Sequence, residues 1–232
     1  MRTLYLIPAR GGSKGIPRKN IKILRDKPLI CYSIDAARLV AEDTDICVST
    51  DCDEIISVVQ NYGLIINFKR PDELSGDEAG SHEVILHAID FFEKQGRSYD
   101  RVMLLQPTSP FRTKKHLEEI SQVYSSDIDM VVSVGKSHLN PYFNLFEEKA
   151  NGFLQKVKPG YFENRQKVPE VYFYNGSAYL INVQSLKKSV MPNFTRICKY
   201  LMDEIYSVDI DTPLDWMLCE AILDNKLIEN NP

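Results

Sequence analysis

The sequence predicts an α/β fold, a doubly wound and mostly parallel sheet, on three observations. Short apolar runs rich in Val, Ile and Leu recur between residues 3 and 134. Amphipathic stretches with helical spacing separate them, as crossover helices separate parallel strands. A glycine-rich, basic turn follows the first run directly.

The elements follow in order. Residues 3–8 (TLYLIP) read as a buried strand and residues 29–40 as a helix. Residues 45–50 (DICVST) form the next strand, and a helix over 53–62 stops at Gly63. Residues 64–68 make a third strand candidate. Ser81 is placed as the cap of a helix whose apolar set is Val84, Ile85, Ala88, Ile89 and Phe92. A strand over 101–105 precedes a helix capped by Thr113, with Leu117, Ile120 and Val123 inward, and a strand over 130–134 follows. Residues 138–175 change character: short alternating apolar runs, Pro141, Gly152 and Pro159-Gly160. They read as a β-hairpin arm inserted into a core of residues 1–137 and 176–228. Strands over 178–183 and 205–210 complete the sheet. Thr212-Pro213-Leu214-Asp215 opens the last helix, with Thr at the cap, Pro at the first position and a carboxylate in the first turn. Its apolar face is Leu214, Met217, Leu218, Ala221 and Ile222, which leaves Trp216 partly exposed, and residues 225–232 are expected to fray.

Composition narrows the classes. The chain has 232 residues, 44% hydrophobic and 26% charged, which excludes a disordered chain and suits one to two domains. A net charge of −4 argues against a nucleic-acid binder, and no apolar run is long enough to span a membrane. The five cysteines show no C-x-x-C spacing, so reduced thiols and a cytoplasmic setting are expected.

The chemistry concentrates after the first strand, in Ala9-Arg10-Gly11-Gly12-Ser13-Lys14-Gly15-Ile16-Pro17-Arg18-Lys19-Asn20. That turn lies at the carboxyl edge of the sheet, where α/β ligands bind. Glycines let backbone N–H groups approach an anion, and Arg10, Lys14, Arg18 and Lys19 supply charge for a polyphosphate. Arg10 stands where a dinucleotide fingerprint needs glycine, and Gly15-Ile16-Pro17 replaces the Gly-Lys-Ser/Thr of a P-loop. Asp209 and Asp211 flank Ile210; on an extended segment this spacing puts both carboxylates on one face, where they favour Mg²⁺. One of them capping the next helix is the plainer alternative.

The loop resembles the signature of the CMP-sialic acid synthetases, the N-acylneuraminate cytidylyltransferases. Further segments match in order: Ser49-Thr50-Asp51, Arg70-Pro71-x-Glu73-Leu74, Leu105-Gln106-Pro107-Thr108-Ser109-Pro110-x-Arg112, Asn175-Gly176-x-x-Tyr179 and Asp209-Ile210-Asp211. The resemblance implies a Mg²⁺-dependent homodimeric enzyme that joins CTP to a nine-carbon acidic sugar, N-acylneuraminate first, with legionaminate or pseudaminate as alternatives. A non-catalytic nucleotide-binding module is the rival from another class. By resemblance, Arg10, Lys19 and Asn20 grip the nucleotide, helped by Gly11, Gly12 and Ser13. Lys19, Arg10 and Asp211 act on the reacting phosphates, and Arg70 and Ser81 contact CMP. Gln106, Thr108, Asn175 and Tyr179 take the sugar, and Arg165 reaches its carboxylate across the dimer. A surface salt bridge of Arg70 with Asp72 or Glu73 remains open, and Arg112 is equally suited to pair with a carboxylate or to anchor the loop. Asn140-Pro141-Tyr142 stands where some sialate enzymes carry a lysine.

Overall fold

The computed structural model describes residues 1–76 and 80–228. In chain order the strands are β1 (Thr3–Pro8), β2 (Ile23–Leu24), β3 (Lys27–Pro28), β4 (Ile46–Ser49), β5 (Arg101–Leu105), β6 (Met130–Lys136), β7 (Phe146–Glu148), β8 (Leu154–Lys156), β9 (Tyr172–Asn182) and β10 (Ile197–Leu201). The helices are α1 (Leu29–Arg38), α2 (Asp53–Asn61), α3 (Ser81–Lys94), α4 (Lys114–Val123), α5 (Val183–Lys188) and α6 (Pro213–Asp224). The central sheet has the order β10-β6-β9-β5-β1-β4. β1 pairs in parallel with β4 and β5, and β10 with β6; β9 alone runs antiparallel, between β5 and β6.

The strands read as unbroken apolar runs because both faces of the sheet are covered. Cys31, Ile55, Val59, Leu117 and Ile120 cover one face from α1, α2 and α4. Ile85, Ala88, Ile89, Phe92 and Leu186 cover the other from α3 and α5. A third cluster joins Ile16, Leu24, Phe111, Ile210 and Trp216 under α6. Among the described residues, no helix is long and apolar enough to cross a membrane.

Five expectations need correction. Residues 64–68 form no strand, and β4 is the edge of the sheet on that side. The stretch 205–210 is not a strand either: a short 3-10 turn, Glu204–Tyr206, leads into irregular chain, and the remaining edge strand is β10. Gly80, not Ser81, caps α3, so Ser81 is its first helical residue. Val123 is exposed. The face of α6 is turned: Trp216, Cys219 and Ile222 are buried, while Leu214 and Met217 stand 73% and 63% exposed. The arm contains the isolated β7–β8 pair, and β9 already joins the sheet at Tyr172 opposite Lys136.

Two predictions follow from packing. Trp216 donates from its indole N–H to Glu220 at 3.2 Å and carries the Lys22 ammonium 4.2 Å over its ring. Trp216→Ala is therefore expected to cost about 3–5 kcal/mol in urea denaturation. A loss below about 1 kcal/mol would contradict the burial. The second concerns α4, whose Thr113 cap forms as expected: the His116 amide bonds the Thr113 hydroxyl, and the Thr113 amide donates to His116 Nδ1 at 3.1 Å. Only a neutral imidazole accepts there, and burial holds the His116 pKa below its usual value. The stabilisation is complete above the unfolded pKa of about 6.5 and is lost as pH falls through the window below it. His116→Gln keeps a capping-box side chain without titrating, so its urea midpoint should fall less between neutral and acidic pH. Parallel pH profiles for the two proteins would reject this assignment.

Candidate active site

The carboxyl ends of β1 and β5 open into a cavity of about 470 Å³. Arg10, Ser13, Lys14, Lys19 and Asn20 line it from the loop after β1. Gly11 packs on Cys52 instead, where an added Cβ would fall 2.9 Å from the cysteine Cβ, and its amide donates to Asp51 Oδ1 at 3.1 Å. Gly12 has open space around it. Asn20 holds the loop shut by donating to the Arg10 carbonyl at 3.0 Å. Lys19 donates to the Ile210 carbonyl and, at 3.1 Å, to Asp211 Oδ1. Gly15 makes the closest approach: a Cβ there would lie 2.1 Å from the Asp211 carbonyl oxygen. Only glycine lets the basic loop rest against the carboxylate segment.

Arg70 is buried against β4 rather than paired at the surface with Asp72 or Glu73. It donates to the Ser49 carbonyl at 2.6 Å, and its own amide bonds the Thr50 carbonyl. Desolvation lowers its pKa, and the charge of Asp51 opposes that shift. Arg70, Gly80, Ser81 and Val84 line the same cavity, facing Gln106 and Thr108.

Asp209 and Asp211 both line the cavity, although their segment is irregular. The Ile210 amide donates to the Thr108 carbonyl at 2.8 Å. Desolvation raises the Asp209 pKa; a hydrogen bond from Thr108 opposes this, and Asp211 adds to it. Asp209 Oδ1 is buried without a hydrogen-bond partner among the described residues. That orphaned oxygen beside a second carboxylate fits a divalent cation, and Mg²⁺ often takes one or two carboxylates plus phosphates. Gly176, at φ +73°, leaves the space: a Cβ would sit 2.8 Å from Gln106 Oε1 and 3.1 Å from Asp209 Oδ2.

The remaining residues fall elsewhere. Asn175 is 1% exposed, its amide bonded to Ser133 and Ser207, so it ties β9 to β6 and to the chain entering Asp209 rather than facing a ligand. Tyr179 is half-buried, its phenol pushed up to about 12 by burial and by the charge of Asp209. Arg165 lines a second cavity of about 790 Å³, to which Asp209 also contributes, and it contacts His138 Nδ1 at 3.1 Å. Arg112 is fully buried and anchors the Gln106 loop. Burial pulls its pKa down to about 9, opposed by Asp209. Gly15 and Val84 carried no assignment from sequence. Gly15 sat visibly in the basic loop, whereas the helical spacing of Val84 marked it only as core.

Residues 4–190 match the family described as cytidylyltransferases. The chain is 33% identical over 231 residues to a CMP-N,N'-diacetyllegionaminic acid synthase of Legionella pneumophila, covering 97% of each chain. It is 34% identical over 238 residues to an N-acylneuraminate cytidylyltransferase of Escherichia coli, spanning 97% of this chain and 54% of that protein. The fold matches a solved CMP:2-keto-3-deoxy-manno-octonic acid synthetase complexed with CTP at a TM-score of 0.71 and 17% identity, over 97% of this chain and all of the other. With its basic loop and its carboxylate pair on one cavity, this chain is a nucleotidyltransferase of the cytidylyltransferase family, in the group of the CMP-sialic acid synthetases.

Proposed function

We propose that the chain joins CTP to N,N'-diacetyllegionaminate, giving the CMP-sugar and pyrophosphate. The observation that carries the transfer reaction is the meeting of Arg10, Lys14 and Lys19 with Asp209 and Asp211 on one cavity. The choice of sugar is supported by the end-to-end match to the Legionella synthase. N-acylneuraminate is the second reading, supported by the 34% identity to the Escherichia coli enzyme.

The anomeric hydroxyl attacks the α-phosphorus, its proton leaves, and the bond to pyrophosphate breaks. The protein's task is positioning and charge neutralisation. Arg10, Lys14 and Lys19 hold the triphosphate, with the Ser13 amide as a further donor. Lys19 neutralises charge on the departing pyrophosphate. Arg70 and Ser81 flank the nucleotide, and Gln106 and Thr108 orient the sugar. Asp209 and Asp211 would hold Mg²⁺, which when bound supplies positive charge to polarise the phosphate. We place the 138–175 arm across a homodimer, which would carry Arg165 to the second subunit's sugar. Phe153, Leu154 and Tyr161 stand exposed on that arm, as a surface awaiting cover does.

The test is pyrophosphate release with CTP and Mg²⁺ against N,N'-diacetyllegionaminate, N-acetylneuraminate, pseudaminate and an octulosonate. Release with diacetyllegionaminate at the highest kcat/KM is expected. A preference for N-acetylneuraminate would move the chain to the second reading, and silence with every sugar would reject the transfer reaction.

A further inference from the structure

We propose that Arg112 is a positioning residue for the transfer: it clamps the Gln106–Ser109 turn from beneath and, through Thr108, sets where Asp209 stands. This rests on the cytidylyltransferase reading and adds to it a residue outside the cavity.

Arg112 is 0% exposed and is among the largest fully buried side chains. Burying a guanidinium is costly unless its hydrogens are used. Here Nη1 donates to Ser33 Oγ of α1 at 2.7 Å, Nη2 to the Gln106 carbonyl, and Nε reaches Ser177 Oγ of β9 at 3.4 Å. One side chain thus joins α1, the turn after β5, and β9. The same Gln106 carbonyl accepts the Ser109 amide at 3.3 Å, which closes the turn. Across the turn, the Thr108 carbonyl accepts the Ile210 amide at 2.8 Å, one residue after Asp209. The path from the guanidinium to the Asp209 segment is therefore short: one hydrogen bond to the Gln106 carbonyl, the turn itself, and one from the Ile210 amide. Scaffolding alone is a weak reason to bury a charge, because a packed apolar side chain of similar volume often serves as well. The two strands and the helix that Arg112 joins are already held by sheet pairing and by the core. What the guanidinium adds is a fixed position for one main-chain carbonyl next to the reacting groups, and misplacement on the scale of about 1 Å costs rate rather than fold.

The test uses the full chain with Arg112→Met, and Ser33→Ala as a milder variant that removes one of the clamp's partners. Three quantities are read: KM for CTP, kcat per folded molecule, and hydrogen exchange of the Ser109 amide without ligand. Arg112→Met is expected to melt cooperatively, to keep KM for CTP within about threefold, and to lose kcat by about tenfold or more. The Ser109 amide should exchange faster, and Ser33→Ala should show the same pattern more weakly. A kcat per folded molecule within about twofold of wild type overturns the proposal, read in Ser33→Ala should Arg112→Met not fold. Unchanged Ser109 exchange overturns the clamp on its own. Wild-type protein silent in pyrophosphate release would instead overturn the transfer reading, whatever the exchange data show.

Discussion

Asp211→Ala is expected to lower turnover by about 10²-fold or more at saturating CTP, read as pyrophosphate release. The expectation comes from how the carboxylate pair is built. Asp209 is half-buried with one oxygen unpartnered among the described residues, and Asp211 stands at the cavity with Lys19 3.1 Å away. Removing Asp211 takes away one of two carboxylates for a divalent ion and frees Lys19 from its side-chain anchor. A loss of that size is about 2.7 kcal/mol of transition-state stabilisation. The Mg²⁺ concentration for half-maximal rate should rise as well, because a cation held by one carboxylate is held less firmly. Turnover within about threefold of wild type, with an unchanged Mg²⁺ requirement, would remove Asp211 from the site.

Arg10→Ala is the second large effect, again about 10²-fold or more in turnover. Arg10 leaves β1 directly into the cavity, and Asn20 fixes its carbonyl at 3.0 Å, so the backbone that aims the guanidinium is braced. Charge placed in advance needs no reorganisation when the phosphate develops negative charge. Arg10→Lys should recover only part of the rate, because an ammonium lacks the planar fork that matches a phosphate. If Arg10→Ala raises KM for CTP and leaves kcat untouched, Arg10 binds the nucleotide without acting on the transition state.

Much of this architecture was legible before the structure. The strand–loop–helix alternation through Val134 placed the basic turn at the sheet's carboxyl edge, and Thr113 and Thr212 both cap helices as their surroundings demand. The errors share a physical cause, the absence of tertiary context. Helix α6 is apolar on more than one side, so Leu214, Met217 and Leu218 compete with Trp216, Cys219 and Ile222, and the spacing alone does not say which stripe the core takes. Residues 205–210 are apolar enough for a strand, but Ile210 spends its amide on Thr108, which leaves the segment a loop that delivers Asp209. At the site, residue types announced the charges but not the fits between them. That Gly15 touches the Asp211 carbonyl, that Gly176 leaves room for Asp209, and that Asn175 is consumed by Ser133 and Ser207 are matters of three-dimensional contact.

The central claim is that the basic loop and the carboxylate pair together direct a sugar hydroxyl onto the α-phosphorus of CTP. Phosphorus NMR tests it most directly, with CTP, Mg²⁺ and a nonulosonic acid carrying heavy oxygen at its anomeric position. The predicted result is a new phosphodiester resonance shifted by the heavy isotope, growing in step with pyrophosphate. Heavy oxygen lost to water, or CTP broken down to orthophosphate without a phosphodiester, would contradict the account.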